Sequence, residues 1–493
     1  MGPKGPEPEL LSHERATMAK QIDRHLKNKQ DIELIASPIT LPNGVVVQNR
    51  LVKAAMAEGI GLGGGPPRSG HINLYRRWAQ GGWGIIISGN VQIDPRHLAS
   101  PHDLTLTPIP QNLDAYTSLA ETVLSASSTP PLLLMQISHP GLQSSSTVNF
   151  SRLPWEPAIA PCSARPDMNG GIYGWIWGHA IWPKKSRRVE DPNEWLDLVT
   201  KFVGAAVLAE KAGWDGIQIH SAHGYLLAEY LSPLTNPDPV RLPGVPEDVP
   251  LRLHLLYLIL QGVNENTNHK FVKAVKINCS DFAHGGLDEV QATEIVKTLI
   301  SWCLLDIIEI SGGTYTHPAF ASPEILTSAS KRQSLFSHFT TSLLPFLPSA
   351  PDGPAMILTG GLHDRELIAA SLRERACDLA GIGRPSCVTP DLPNKVILNR
   401  KIRDEDASFG RYSIPGGDLM KSLLGGGGGI GERGIPLVGA GVSTMWHEWQ
   451  LCRIGRGEDP DKNMHWVKGL LVEEIWWEVL RGGPVGWWNT WRS

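Results

Sequence analysis

The chain predicts a (β/α)8 barrel, and three observations carry that expectation. Short apolar runs recur through residues 35–400, mostly without the alternation of a half-exposed strand, as strands buried on both faces of a parallel sheet require. Segments with a helical repeat separate several of them. Polar residues and glycines gather directly after the runs, the end of a barrel strand that carries chemistry. A core of about 350 residues lies in the upper range for such barrels. A doubly wound open sheet is the second possibility, but no Gly-x-Gly-x-x-Gly follows the first run, which that fold's nucleotide site would use.

Taken in order, strands are expected at Leu51–Ala55, Gly84–Ser88, Leu132–Ile137, Gly216–His220, Ala274–Asn278, Ile307–Ser311, Ala355–Thr359 and Leu379–Ile382. Each is too short for an ordinary helix. Between the third and fourth, Trp195, Leu198, Val199, Phe202, Ala206 and Leu208 lie on a helical repeat that Gly213 stops, so the spacing predicts a helix over 193–213. Residues 1–33 form a polar N-terminal extension in which Leu10–Leu26 has the makings of a surface helix. Residues 34–400 form the barrel, and 401–493 a glycine-rich linker (Gly425–Gly429 above all) and a tryptophan-rich tail. Trp446, Trp449, Trp466, Trp476, Trp477, Trp487, Trp488 and Trp491 suit packing against the barrel or a second subunit. A membrane interface also favours Trp, but Glu473, Glu474 and Glu478 oppose an anionic one.

Composition narrows the function. With 41% apolar residues and a net charge of −4, the chain can bury a large core and presents no basic field for nucleic acid. The six cysteines are scattered without a Cys-x-x-Cys, so zinc ribbons and cysteine-ligated clusters have no support. The charged N-terminus is no secretory signal, and no uncharged apolar run is long enough to span a bilayer. The expectation is a soluble cytoplasmic protein, a homo-oligomer being open, that acts on a small molecule.

The chemistry concentrates in His220-Ser221-Ala222-His223-Gly224-Tyr225. Two imidazoles offer donors to an oxygen that gains negative charge, and a phenol with an ordinary pKa of about 10 can deliver a proton. Such a set suits reduction of a carbon–carbon double bond beside a carbonyl. The two histidines would suit a metal if both lay on one helical turn, but no acidic ligand set accompanies them. Thr359-Gly360-Gly361 and Gly381-Ile382-Gly383-Arg384 follow the last two runs, where glycine amides and a guanidinium can hold phosphate. Tight turns with a surface arginine are the plainer reading of either motif alone. Gln136, His139 and Lys276 could line a planar ligand, the glutamine amide matching a pyrimidine edge.

Together these motifs resemble the Old Yellow Enzyme family of FMN-dependent NADH:flavin oxidoreductases. The resemblance runs from about Ile35 to Arg400 through Asn49-Arg50-Leu51-Val52, Tyr75–Gly82, Gln136-Ile137-Ser138-His139-Pro140-Gly141, His220–Leu227, Leu231–Asn236, Ile310-Ser311-Gly312-Gly313, Thr359-Gly360-Gly361 and Gly383-Arg384-Pro385. It implies non-covalent FMN with Ala55, Met56, Ala57 and Gly89 beside the flavin. Gln136 would address its pyrimidine edge and Lys276 the N1–C2 carbonyl region, while Gly360, Gly361, Gly383 and Arg384 would hold the phosphate. It further implies an ene-reductase in which NADH or NADPH reduces the flavin. His220 and His223 would hold the carbonyl oxygen of an activated alkene, and Tyr225 would protonate its α-carbon.

Three positions depart from the family pattern. Leu142 stands where an arginine is usual, Ala57 where threonine or cysteine is frequent, and residues 237–245 replace a familiar segment with a proline-rich one. The last departure leaves a catalytically impaired flavin-binding or scaffold protein as the alternative function. Dienoyl-thioester or amine oxidation, as in larger relatives, would call for iron–sulfur cysteines and additional length that this chain lacks.

Overall fold

The computed structural model describes residues 26–107, 110–149, 151–166, 168, 171–313, 338–410, 412–423 and 436–476. Its centre is a closed parallel barrel of eight strands: β1 Leu51–Lys53, β2 Ile85–Gln92, β3 Leu132–Ser138, β4 Gly216–Ser221, β5 Val272–Asn278, β6 Ile307–Ser311, β7 Ala355–Thr359 and β8 Leu379–Ile382. Neighbours in sequence pair side by side, and β8 closes on β1 through Gly381 opposite Val52. All eight expected strands are present, and the helix between β3 and β4 spans Pro192–Lys211. Its start is set by Asp191, whose side chain accepts from the Asn193 amide ahead of an N-terminal proline, a favourable helix entry.

Side chains facing into the barrel change character with height. At the bottom Val52, Ile85, Ile87, Leu134, Val272, Ala274, Ile307, Ala355, Ile357 and Leu379 form one buried apolar cluster with Ile39, Leu41 and Val47. The last three belong to a hairpin, Ile39–Thr40 with Val46–Val47, which covers that end. Intervening strand residues such as Ile86, Leu133, Met135, Ile217, Ile219, Val275, Ile277, Ile308 and Ile310 belong to a second cluster with the surrounding helices. This two-faced burial explains the unbroken apolar runs.

In β2 the alternation slips. Ile87 pairs with Leu134 but Asn90 with Gln136, so β2 takes three steps where β3 takes two. The additional residue is a β-bulge at Ser88-Gly89, which reverses the facing of everything after it. Val91 therefore joins the outer cluster, and Asn90 is turned toward the barrel axis.

The segments flanking the barrel pack onto it. Residues 26–35 are helical and bury Ile32 and Ile35, crossing the boundary that composition suggests at 33/34. Helix Pro436–Gly455 lies on helix Ser69–Ala79, with Asn73 Nδ2 donating to Gly455 O at 2.9 Å and the Cys452 thiol to Gly59 O at 3.3 Å. Trp446, Trp449 and Trp466 are buried together with Val388, Val442 and Met464, so these three tryptophans pack against the chain itself. Trp477, Trp487, Trp488 and Trp491, the glycine run 425–429 and the helix expected at Leu10–Leu26 (save for its last residue) lie outside the described residues. The proline-rich stretch 237–250 is a loop ahead of helix His254–Asn266. It buries Leu242, Val245 and Val249 and is held by His254, whose Nδ1 accepts from the Leu242 amide at 3.0 Å. Among the described residues no helix is long and apolar enough to cross a membrane.

One cost of docking the C-terminal helix is readable in Glu448, whose carboxyl is pushed up to about 8 by burial, then by Glu474 and Asp103. The folded state keeps a proton that the unfolded chain releases above its ordinary value of 4.5, so stability contributed by this site is lost as pH rises toward about 8. Glu448→Gln should therefore raise the melting temperature by a few degrees at about pH 8.5 and by about zero at pH ~4.5, measured by calorimetry at both pH values.

Candidate active site

Above the apolar floor, the inward positions become polar. Gln136 of β3 lies beside Gln218 of β4 in register, and Gln136 Nε2 donates to Gln218 Oε1 at 2.7 Å. Gln218 Nε2 in turn donates to Glu309 Oε2 at 2.6 Å, and Glu309 forms an ion pair with Lys276 at 2.9 Å. All four are almost fully buried. The layer thus runs across β3, β4, β6 and β5 and fixes each side chain by the next. A buried carboxylate and ammonium are tolerable only when paired and hydrogen-bonded in this way.

One step higher stand Asn90, His220, Asn278 and Ser311. His220, the penultimate residue of β4, lies directly opposite Lys276. The chain then turns through His223 and Gly224 with φ of +58° and +72°, a left-handed pair that a β-branched residue would resist and that histidine and glycine accept more readily. The turn folds the His223 ring back over the barrel, where its Nε2 meets Ser311 Oγ at 2.8 Å and its amide donates to Asn278 Oδ1 at 3.2 Å. The ring centroids of His220 and His223 lie 5.2 Å apart, and those of His220 and Tyr225 4.4 Å. The two histidines do not share a helical turn. One lies in a strand and the other sits in a loop, so the spacing argument for a metal does not apply.

Burial, then the Lys276 charge, pushes both imidazoles well below their usual value, with His220 a further cause for His223. Both rings are neutral near pH 7 and can donate a single N–H each. His220 Nδ1 is buried with no hydrogen-bond partner among the described residues.

The opposite side of the mouth is built from glycine. Gly360 and Gly361 follow β7 with φ of +109° and +77°, and Thr359 Oγ1 is buried without a partner among the described residues. Gly381 leaves room for that threonine, since a Cβ there would lie 2.0 Å from Thr359 Oγ1. A Cβ on Gly383 would come within 3.2 Å of Met56 Sδ, which brings the turn after β1 against the turn after β8. Burial pushes the Arg384 guanidinium below its usual range, with Tyr412 and Cys387 pushing the other way, and its Nη1 reaches Ser443 Oγ of the C-terminal helix at 3.4 Å. Ala55, Met56 and Ala57 are part-exposed at the end of β1. Gly89 sits in the bulge, its amide donating to Glu58 Oε1 at 3.0 Å, and a Cβ there would lie 2.6 Å from Met56 O.

The residues singled out in the sequence are thus brought to one end of the barrel, with His139 set apart. It lies in a buried group with Asp94 and His97 whose ligand atoms fall within 4.8 Å of one another. His139 Nδ1 accepts from the Gly141 amide and His97 Nδ1 faces the Arg152 guanidinium, which leaves the proton on each Nε2, and Lys201 already holds Asp94. Each of the three is thus held by a neighbour outside the group, and His139 Nε2 is buried without a partner among the described residues. Sequence reasoning missed Asn90, Gln218, Glu309 and Ser311. A signal existed for two of them: Gln218 and Glu309 are polar residues inside otherwise apolar strand runs, and a buried polar residue is the informative exception.

Two buried polar atoms at this end of the barrel, His220 Nδ1 and Thr359 Oγ1, are left without a protein partner among the described residues, which fits a bound group with polar atoms at both places. Known proteins bear on what that group is. The model of the NADH:flavin oxidoreductase / NADH oxidase family matches residues 35–403. The chain is 35% identical over 400 residues to the NADH-dependent flavin oxidoreductase iliE of Hypocrea jecorina (strain QM6a), covering 79% of this chain and 96% of that one. It is 26% identical over 364 residues to the NADPH dehydrogenase of Bacillus pumilus (strain SAFR-032), covering 72% and 92%. The fold is shared with an old yellow enzyme homologue from Zymomonas mobilis (TM-score 0.56, 21% identity, 73% of this chain and 91% of that one). It is also shared with morphinone reductase solved with tetrahydroNAD (TM-score 0.55, 17% identity, 73% and 89%). The chain belongs to the Old Yellow Enzyme family of NADH:flavin oxidoreductases, barrel enzymes that use FMN and draw hydride from NADH or NADPH.

Proposed function

We propose that the enzyme reduces activated alkenes, α,β-unsaturated carbonyl compounds, at the mouth of the barrel. The observation that carries this reading is the grouping of two neutral imidazoles, one buried and one half-buried, and a phenol, with His220 Nδ1 lacking a partner among the described residues. His220 and His223 hold the substrate carbonyl by N–H donation. Their donors are fixed before the reaction, so the enolate charge that grows on the oxygen is stabilised without reorganisation. Tyr225 gives its phenolic proton to the α-carbon and regains one from solvent. Bound FMN supplies the hydride for the β-carbon after reduction by NADH or NADPH.

The same reading assigns the cofactor's contacts. Ala55, Met56, Ala57 and Gly89 lie along the ring. Gln136, its amide orientation set by Gln218, meets the pyrimidine edge. Lys276 faces the N1–C2 carbonyl region with Glu309 offsetting part of its charge. Gly360, Gly361, Gly383 and Arg384 take the phosphate. The 237–245 segment hydrogen-bonds chiefly to itself and to Arg188 and His254, which supports an intact pocket over the impaired alternative.

Anaerobic stopped-flow against a panel of enones tests the reading. The purified protein should be yellow, bleach with NADH or NADPH, and recolour on addition of an enone; a colourless protein that takes up no FMN would sink it. Tyr225→Phe should slow the enone step about 100-fold or more while changing flavin reduction little, and equal loss in both half-reactions would remove Tyr225 as the acid. Replacing His220 and His223 together by alanine should weaken binding of phenols, which mimic the enolate, about tenfold or more. Because both imidazoles are already neutral, protein-side titration should leave phenol affinity flat between about pH 5.5 and pH ~7.5, followed by the long-wavelength absorbance of the complex.

A further inference from the structure

Asn90 is a residue for which the family resemblance supplied no expectation, yet its amide Nδ2 lies 2.8 Å from the Tyr225 hydroxyl. It is brought there by the bulge in β2. Without Ser88-Gly89 as the additional step, Val91 would face the axis and Asn90 the helices. The bulge is itself secured from two sides: Ser88 Oγ accepts from the Gln136 amide at 2.9 Å, and the Gly89 amide is taken by Glu58 Oε1, which also accepts from Tyr75 at 2.5 Å. A backbone irregularity held this firmly, beside a site, re-aims a side chain.

We infer that Asn90 is the positioning residue of the proton donor: its amide N–H donates to the phenol oxygen of Tyr225, so that the phenol's own proton is directed toward the substrate. The inference rests on the reading that Tyr225 protonates the α-carbon. An amide donor on the phenol oxygen does two things. It fixes the direction in which the O–H can point, since the lone pair facing Asn90 is occupied. It also stabilises the phenolate left as the proton departs, because a hydrogen bond to a charged oxygen is stronger than one to a neutral oxygen. Tyr225 is thereby made a stronger acid in place. The opposite amide orientation would have Oδ1 accept the phenol proton and hold it away from substrate.

The test uses the FMN-loaded enzyme with Asn90→Ala and the near-isosteric Asn90→Asp, alongside Tyr225→Phe. Each is followed through both half-reactions and across pH. Asn90→Ala should slow enone reduction about 10- to 100-fold, with a smaller change in flavin reduction, and should move the alkaline limb of the enone step to higher pH. Asn90→Asp, which can only accept, should slow it at least as much and move the limb further. If Asn90→Asp matches the parent enzyme, the amide oxygen faces the phenol and the inference is overturned. An unmoved alkaline limb in both variants, or equal slowing of both half-reactions, assigns Asn90 a merely structural role and also overturns it. Failure of the underlying reading is distinguishable: Tyr225→Phe would then leave the enone step at the parental rate, whereas a slow Tyr225→Phe with an unaffected Asn90→Ala rejects the positioning role alone.

Discussion

The interaction on which the rest of the site depends is the buried ion pair of Lys276 and Glu309, held at 2.9 Å inside the barrel. Neither charge could remain there alone, since removing one partner of such a pair costs about 3–5 kcal/mol. The pair is braced by Gln218, and Gln218 by Gln136, so one chain of contacts sets the orientation of an amide at one side and an ammonium at the other. That ammonium then acts on the layer above. It lies opposite His220 in the sheet register and is a cause of the low proton affinity of both histidines. The paired charge thus adds to burial, the larger cause, in keeping both imidazoles neutral.

The layering follows from the arithmetic of the strands. Side chains alternate, so each inward position is two residues above the last, and a strand long enough to pass the apolar floor must present a polar residue next. Strand β4 offers Gly216, Gln218 and His220 in that order, and β5 offers Val272, Ala274, Lys276 and Asn278. The apolar lower positions supply the burial that holds the barrel together, and the polar upper ones inherit their geometry from it. The bulge in β2 is the one place where this arithmetic is broken among the barrel pairings, and it is broken at the level of the site.

Much of this was legible in the sequence because two-faced burial writes itself as apolar runs and because barrel chemistry clusters after them. The eight strands, the helix after β3, the imidazole–phenol cluster and the glycine turns after β7 and β8 could all be read that way. The bulge could not, since Ser88-Gly89 looks like the end of a strand when sequence is read locally. The expected run accordingly stops at Ser88 whereas β2 continues to Gln92, which leaves Asn90 outside every expected strand. Gln218 and Glu309 stand out as polar residues inside apolar runs, but their pairing could not be read, because they lie 91 residues apart and meet only through barrel closure. His139 stands apart from the other candidate residues: its Nδ1 accepts from the Gly141 amide two residues on, and its ring is grouped with Asp94 and His97.

The C-terminal segment alters how the phosphate end should be understood. Composition separates it from the barrel as a linker and tail, yet the described part places Ser443 at 3.4 Å from Arg384 and His447 beside it, its proton affinity depressed by burial and then by the Arg384 charge. Helix Pro436–Gly455 therefore shields the guanidinium from solvent on one side while the glycine turns stand on the other. Shielding raises the strength of any contact Arg384 makes with an anion, because the local dielectric falls, and it also raises the cost of leaving that anion out. If Arg384 holds the phosphate, as proposed, binding of that end of the cofactor and docking of this helix are linked, and whatever favours the first favours the second by the same free energy. The tryptophan cluster formed by Trp446, Trp449 and Trp466 anchors the helix that carries Ser443 and His447, and so sets the surroundings of Arg384.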